Sequence, residues 1–192
     1  MAIQPQRLRR WLQMSKPPSG LFSGTKGVLL FYGDAEEVIA GRVAGLDLRE
    51  HPIGRKQLSA AKRRKIKEKI KARTATREEY ALFEWDRRID KRRRNGIRRF
   101  WKQERKRLKA GMPGTRHWLP EQIAVIVDGG TPQFFGKSMQ AHHAYSVAKY
   151  PHLADKGEII YPATPLEHLR GWHGGSYRRS NPGQRIRKIT EF

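Results

Sequence analysis

The chain has 192 residues, with 41 Lys and Arg against 18 Asp and Glu, a net charge of +23 and a pI near 11.0. A hydrophobic fraction of 37% with 31% charged residues allows one modest core beside segments that bury little, and so large a charge imbalance makes a polyanion, nucleic acid by default, the expected partner. No apolar run approaches the ~20 residues that span a bilayer, so no membrane insertion is expected, and the absence of Cys excludes disulfides, thiolate zinc sites and cysteine nucleophiles.

The basic N-terminus, Met1 to Arg7, is followed by no apolar export-signal core. Residues 1–54, 55–110 and 111–192 carry nets of +2, +17 and +4, and this uneven charge divides the chain into three parts. In the first, Gly27-Val28-Leu29-Leu30-Phe31-Tyr32 reads as a buried strand. Asp34-Ala35-Glu36-Glu37 then opens a short helix limited by Gly41 and Gly45, a small supporting segment without visible chemistry. Arg9, Arg10 and Trp11 read as a flexible terminus.

The second part is a basic helical region. One helix starts at Ser59-Ala60-Ala61-Lys62 and runs to Lys71; another, capped at Thr74 or Thr76, covers about 76 to 110 with a possible break at Gly96. The pairs Trp85/Ile89 and Ile97/Trp101 give it a narrow apolar stripe, and Arg and Lys fill the rest of its surface. Arg92, Arg93, Arg94, Arg98 and Arg99 are candidate phosphate contacts.

The third part opens on a Gly111-Met112-Pro113-Gly114 linker. Pro120 starts a short apolar helix stopped by Asp128-Gly129-Gly130. Gln133-Phe134-Phe135 and Ser138-Met139-Gln140-Ala141-His142 read as two strands turned by Gly136-Lys137, and Ile159-Ile160-Tyr161 as a further one. Thr164-Pro165-Leu166-Glu167 combines an N-cap, Pro at the first helical position and Glu at the third.

Five of the seven His residues fall between 142 and 173. Diester hydrolysis needs a water made nucleophilic and charge neutralised on the phosphoryl oxygens; an imidazole can serve as base and a divalent cation can do the rest. Adjacent strand residues point oppositely, so His142 and His143 can do different jobs. On a regular α-helix, His168 and His173 lie about 140° apart and share no face, unless the helix ends at Gly171 and frees His173 to swing back. His152 reads as a packed loop residue, and His51 and His117 as surface residues. Arg178 and Arg179, just past Trp172-His173-Gly174-Gly175, are further candidate phosphate contacts.

Taken together, Gln140-Ala141-His142-His143, Tyr150-Pro151-His152-Leu153-Ala154, Ile160-Tyr161-Pro162-Ala163-Thr164, Glu167-His168 and Trp172-His173-Gly174-Gly175 resemble the HNH/endonuclease VII (His-Me finger) nucleases, and within them the GHH and AHH toxin domains of bacterial polymorphic toxins. The resemblance covers about residues 114–176. It implies an α+β fold with a ββα-metal core, preceded here by the long basic helices, and one divalent metal ion: Mg, Mn, Zn or Ni. It implies His143 as general base and His142, His168 and His173 on the metal side. The middle Asn of the HNH pattern has no counterpart between His143 and His173.

The expected function is a metal-dependent endonuclease of weak or no sequence specificity acting on DNA, as a bacterial effector toxin delivered by a secretion system into the target-cell cytoplasm and countered by an acidic immunity protein. A ribonuclease toxin with the same site is one alternative. Another is a non-catalytic nucleic-acid-binding protein with a structural His metal site.

Overall fold

The computed structural model describes residues 35–179 and 183–187; the strand expected at 27–32 and the terminus around Arg9 lie outside them. The described chain is α+β. Its elements are helices α1 (Ala35–Val43), α2 (Ala60–Lys71), α3 (Arg77–Lys109) and α4 (Pro120–Asp128), and strands β1 (Gln133–Phe134), β2 (Lys137–Ser138), β3 (Gln140–His143) and β4 (Ile160–Ala163). Two 3₁₀ turns (Pro151–Leu153 and Gly157–Ile159) join β3 to β4, and a π-helical segment (Glu167–Trp172) follows β4. No helix among the described residues is long and apolar enough to cross a membrane.

Helix α3 is the spine, 33 residues and so about 50 Å long. A reciprocal capping box starts it: Glu79 N–H donates to Thr76 Oγ1 (3.2 Å), and Thr76 N–H donates to Glu79 Oε2 (3.1 Å). Glu78 and Glu79 in its first turn and Lys106, Arg107 and Lys109 in its last both suit the helix dipole. The helix does not break at Gly96. That position is buried, and a Cβ there would lie 2.6 Å from the Ala154 carbonyl oxygen, so glycine serves close approach of the 3₁₀ turn and not a helix end. Gly96→Ala should therefore lower the melting temperature although it raises helix propensity by roughly 1 kcal/mol. A higher melting temperature would show that the turn yields easily.

Two buried acids on α3 do structural work that composition does not reveal. Asp86 accepts from Leu58 N–H (2.9 Å) and pairs with Arg63, which fastens the start of α2 to α3. Glu104, with no exposed surface, accepts from Thr115 N–H (2.6 Å), Thr115 Oγ1–H (2.5 Å) and Trp118 Nε1–H (2.7 Å). These bonds dock the linker after α3 onto the helix.

One core runs across the three compositional parts: Ile39 and Val43 of α1, Phe100 of α3, and Ile159, Ile160, Ala163 and Trp172 pack together. A second cluster joins Leu108, Trp118, Ile126 and Met139. Arg42, half-buried beside this packing, donates to the carbonyls of Ile160 (2.9 Å) and Gly157 (2.8 Å). Burial pushes its pKa down to about 10, Arg107 pushes the same way, and Glu104 and Glu158 oppose them. The guanidinium stays charged at neutral pH.

The strands differ in detail from the sequence expectation. The hairpin turn is Phe135-Gly136, both at positive φ (46° and 71°), so β2 is Lys137–Ser138 and the histidine strand is separate. Met139 N–H turns back to the Pro132 carbonyl (2.9 Å) between them. β3 pairs antiparallel with β4, His142 opposite Tyr161 and His143 opposite Ile160.

Candidate metal and catalytic site

Strand alternation assigns the two faces of β3. Gln140 and His142 face the π-helical segment, and His143 turns away toward the 3₁₀ turn. Thr164 caps the chain as it leaves β4: Glu167 N–H donates to Thr164 Oγ1 (3.2 Å) and Thr164 N–H to Glu167 Oε2 (2.8 Å). Glu167 also pairs with Arg116 at 2.8 Å, so its carboxylate is committed to the cap and to that arginine and belongs to the scaffold.

Beyond this cap the helix widens into a π-helical segment that ends one residue past Gly171, and His173 is its C-cap, outside the helix and able to swing back toward His168. The π-helix runs on through Trp172. Its hydrogen bonds run from i to i+5, a wider turn than that of an α-helix, and this carries the chain at His173 back toward the side of His168. His168 Nε2 and His173 Nε2 stand 3.2 Å apart, and one ring nitrogen from each of His142, His168 and His173 lies within 4.8 Å of the others. Gly174 and Gly175 then reverse the chain at φ 56° and 91°, which only glycine adopts freely. The reversal brings the Arg179 carbonyl to His173 Nδ1 and the Tyr177 ring to 5.3 and 5.2 Å from the two histidine rings.

The hydrogen bonds fix the ring protons. Gln140 Oε1 (2.5 Å) and the Arg179 main-chain carbonyl accept from His168 Nδ1–H and His173 Nδ1–H. In the neutral rings both Nε2 lone pairs then face each other, an arrangement that repels until a cation stands between them. His142 is 2% exposed, stacks on Trp172 at 4.5 Å, and buries its Nε2 without a protein partner. Three convergent imidazoles, two of them oriented by acceptors behind them, fit a divalent transition metal.

His143 is not in this group. It is 8% exposed, and its Nε2 lies 3.2 Å from the Ala154 carbonyl oxygen. A carbonyl can only accept, so the proton sits on Nε2 and the lone pair on Nδ1. Burial pushes its pKa down to about 4, aided by the charge of Arg93; the bond to Ala154 opposes both. Burial likewise lowers His168 to about 4, with His173 and Arg93 next, and holds His142 well below its ordinary value.

These shifts predict acid sensitivity. An unfolded histidine takes up its proton near pH 6.5, whereas the folded residues stay neutral to about pH 4. Across that window the unfolded chain binds more protons, so stability is whole above pH 6.5 and falls as pH drops toward 4. Urea midpoints in chelator should decline over this range. A flat profile would remove the buried neutral histidines from the stability of the fold.

The candidate arginines separate. Arg92 Nη2 donates to Asp155 Oδ1 (2.7 Å) and the His152 carbonyl (2.8 Å); Arg99 Nη1 donates to Asp155 Oδ2 (2.9 Å) and the Asp155 carbonyl (3.0 Å). Both are engaged with the loop through one Nη nitrogen each. Arg93, Arg94 and Arg98 are exposed, as are Arg178 and Arg179 beside the histidines. The field of Arg93 reaches His142, His143 and His168. His152 packs in its loop, Nε2 2.9 Å from the Asp47 carbonyl.

The sequence reading missed three contributors: Gln140, the Ala154 carbonyl and Tyr177. Gln140 was findable, because it lies two residues before His142 on one strand face. Residues 83–164 match the family of GHH signature-containing HNH/Endo VII superfamily nuclease toxins. The match supports a nuclease toxin domain at residues 83–164, in a family of hydrolases acting on nucleic acid. The match takes in β3 with its His-His pair, and ends before His168 and His173. No curated relative matches the chain.

Proposed function

We propose, from this match to a family of nuclease toxins, that the chain is a metal-dependent endonuclease cutting DNA with little sequence preference through a ββα-metal site. The reading is carried by the separation of His143 from the three convergent histidines, with the Nε2–H of His143 held by the Ala154 carbonyl. His143 Nδ1 takes a proton from water as the oxygen attacks phosphorus. The P–O3′ bond breaks with its electron pair on the 3′ oxygen, which solvent protonates. The Ala154 carbonyl steadies the imidazolium that forms. His143 enters unprotonated across physiological pH, and the negative phosphodiester opposes the field of Arg93 and raises its basicity in the complex.

His142, His168 and His173 would hold the ion. A divalent cation there supplies Lewis-acid neutralisation of charge on the phosphoryl and departing oxygens. Imidazole donors favour Zn, Mn or Ni over Mg. The effector role, delivery into a target-cell cytoplasm and an acidic immunity partner belong to the same proposal, supported by the toxin family and the charge of +23.

Incubation with plasmid DNA and with total RNA across several divalent cations tests substrate and metal together. Chelator-sensitive DNA cleavage is expected; RNA cleavage alone would replace the substrate, and binding without cleavage would leave a structural metal site. His168→Ala and His173→Ala should weaken metal affinity, so that excess metal restores part of the activity. Unchanged metal titrations would refute the ligand set.

Non-specific binding should be steeply salt dependent. With Arg92 and Arg99 engaged by Asp155, the remaining candidate grip on α3 is Arg93, Arg94 and Arg98, which are exposed and hydrogen-bond only the uncharged Gln57 and Asn95. Changing all three to Gln should flatten the slope of log affinity against log salt by up to about 2.7 units. An unchanged slope would move the grip elsewhere, first to Arg178 and Arg179.

A further inference from the structure

We infer that Asp155 is a positioning residue: held by Arg92 and Arg99 on α3, it fixes the Ala154 carbonyl that orients His143. The inference rests on the reading of His143 as the base. Arg92, Gly96 and Arg99 occupy positions i, i+4 and i+7, one face of α3. Arg92 grips one Asp155 carboxylate oxygen and the His152 carbonyl, and Arg99 grips the other oxygen and the Asp155 carbonyl, all within 2.7–3.0 Å. Between them Gly96 leaves the space that the Ala154 carbonyl fills. Four hydrogen bonds to this helix face thus surround the one carbonyl that His143 addresses at 3.2 Å.

The turn closes without these arginines, through Ala154 N–H to the Pro151 carbonyl (3.3 Å) and Lys156 N–H to the Leu153 carbonyl (2.9 Å). What the clamp adds is placement of the formed turn on the helix. An imidazole rotates about its Cβ–Cγ bond unless one nitrogen is held. A fixed acceptor settles both which nitrogen keeps the proton and where the basic nitrogen points. In a chain whose HNH-type Asn has no counterpart, a side chain on a distant helix orients the base through a backbone carbonyl.

The test uses the full chain with a duplex oligonucleotide and a fixed divalent cation. Asp155→Ala should lower kcat about 10- to 100-fold, as a misplaced reacting group does, with KM and the duplex Kd in chelator within about twofold by the same argument. Arg99→Lys, which keeps a donor, should recover most of kcat. By NMR the His143 Nε2–H proton should exchange slowly in the parent and rapidly in Asp155→Ala. Should Asp155→Ala not fold, Asp155→Asn and Arg99→Gln carry the same measurements. Unchanged kcat and exchange would overturn the inference; weakened Kd with intact kcat in Arg99→Gln would make these arginines a phosphate grip instead, which also overturns it. Cleavage by His143→Ala at the parent's rate would defeat the base assignment separately, and the exchange measurement would still report whether the clamp holds the ring.

Discussion

His143→Ala should abolish detectable cleavage while the protein stays folded and binds duplex DNA as before. A positioned general base contributes on the order of 10²–10⁴ in rate, and the Ala154 carbonyl holds the His143 ring for that task. The fold loses less: one buried carbonyl goes unsatisfied, roughly 1–3 kcal/mol, against a typical stability of roughly 5–15 kcal/mol. In the proposed reading, binding rests on exposed arginines elsewhere on the surface. The measurement is plasmid nicking over several decades of enzyme concentration, beside circular dichroism and duplex titration in chelator. A folded His143→Ala protein that cuts like the parent would take His143 out of the mechanism.

Glu104→Ala should produce the largest loss of stability in the molecule. Removing this carboxylate orphans Thr115 N–H, Thr115 Oγ1–H and Trp118 Nε1–H at once, and leaves Arg107, 3.6 Å away, and the half-buried Arg42 without their shared counter-charge. Breaking a buried charged network by deleting one partner costs roughly 3–5 kcal/mol, a large share of total stability. At roughly 2–4 °C per kcal/mol for a protein of this size, the melting temperature should fall on the order of 10 °C. Glu104→Gln keeps one acceptor and should fall by less. If alanine melts with the parent, the network is not a keystone and the linker is held by the Trp118 packing alone.

Much of the framework was legible because it is written in local chemistry. Ser59, Thr76 and Thr164 cap helices where the residue pattern says they should; Pro120 starts α4, and it ends at Asp128 before Gly129. The histidine order of strand, loop, strand and helix was readable for the same reason. Where reading went astray, a long-range contact had the deciding vote. Gly96 looked like a helix break because propensity knows only the helix, whereas the Ala154 carbonyl pressing on it is 58 residues away in sequence. For Arg92 and Arg99, charge alone could not show that Asp155 stands opposite.

The i,i+5 spacing of His168 and His173 is the sharpest instance. On an α-helix it is a defect, and the sequence holds nothing that demands another helix. The sequence by itself determined which residue types could do chemistry, the polycation that would hold a polyanion, and the caps and turns that start and stop the elements. Only the tertiary structure decided that the helix widens and ends at Trp172 with two imidazoles 3.2 Å apart, that His143 faces a backbone carbonyl and not the other histidines, and which arginines Asp155 engages. The division has a physical basis: caps, turns and net charge depend on a few neighbouring residues, whereas ring orientation and ion pairing depend on which distant groups the packed core brings into contact.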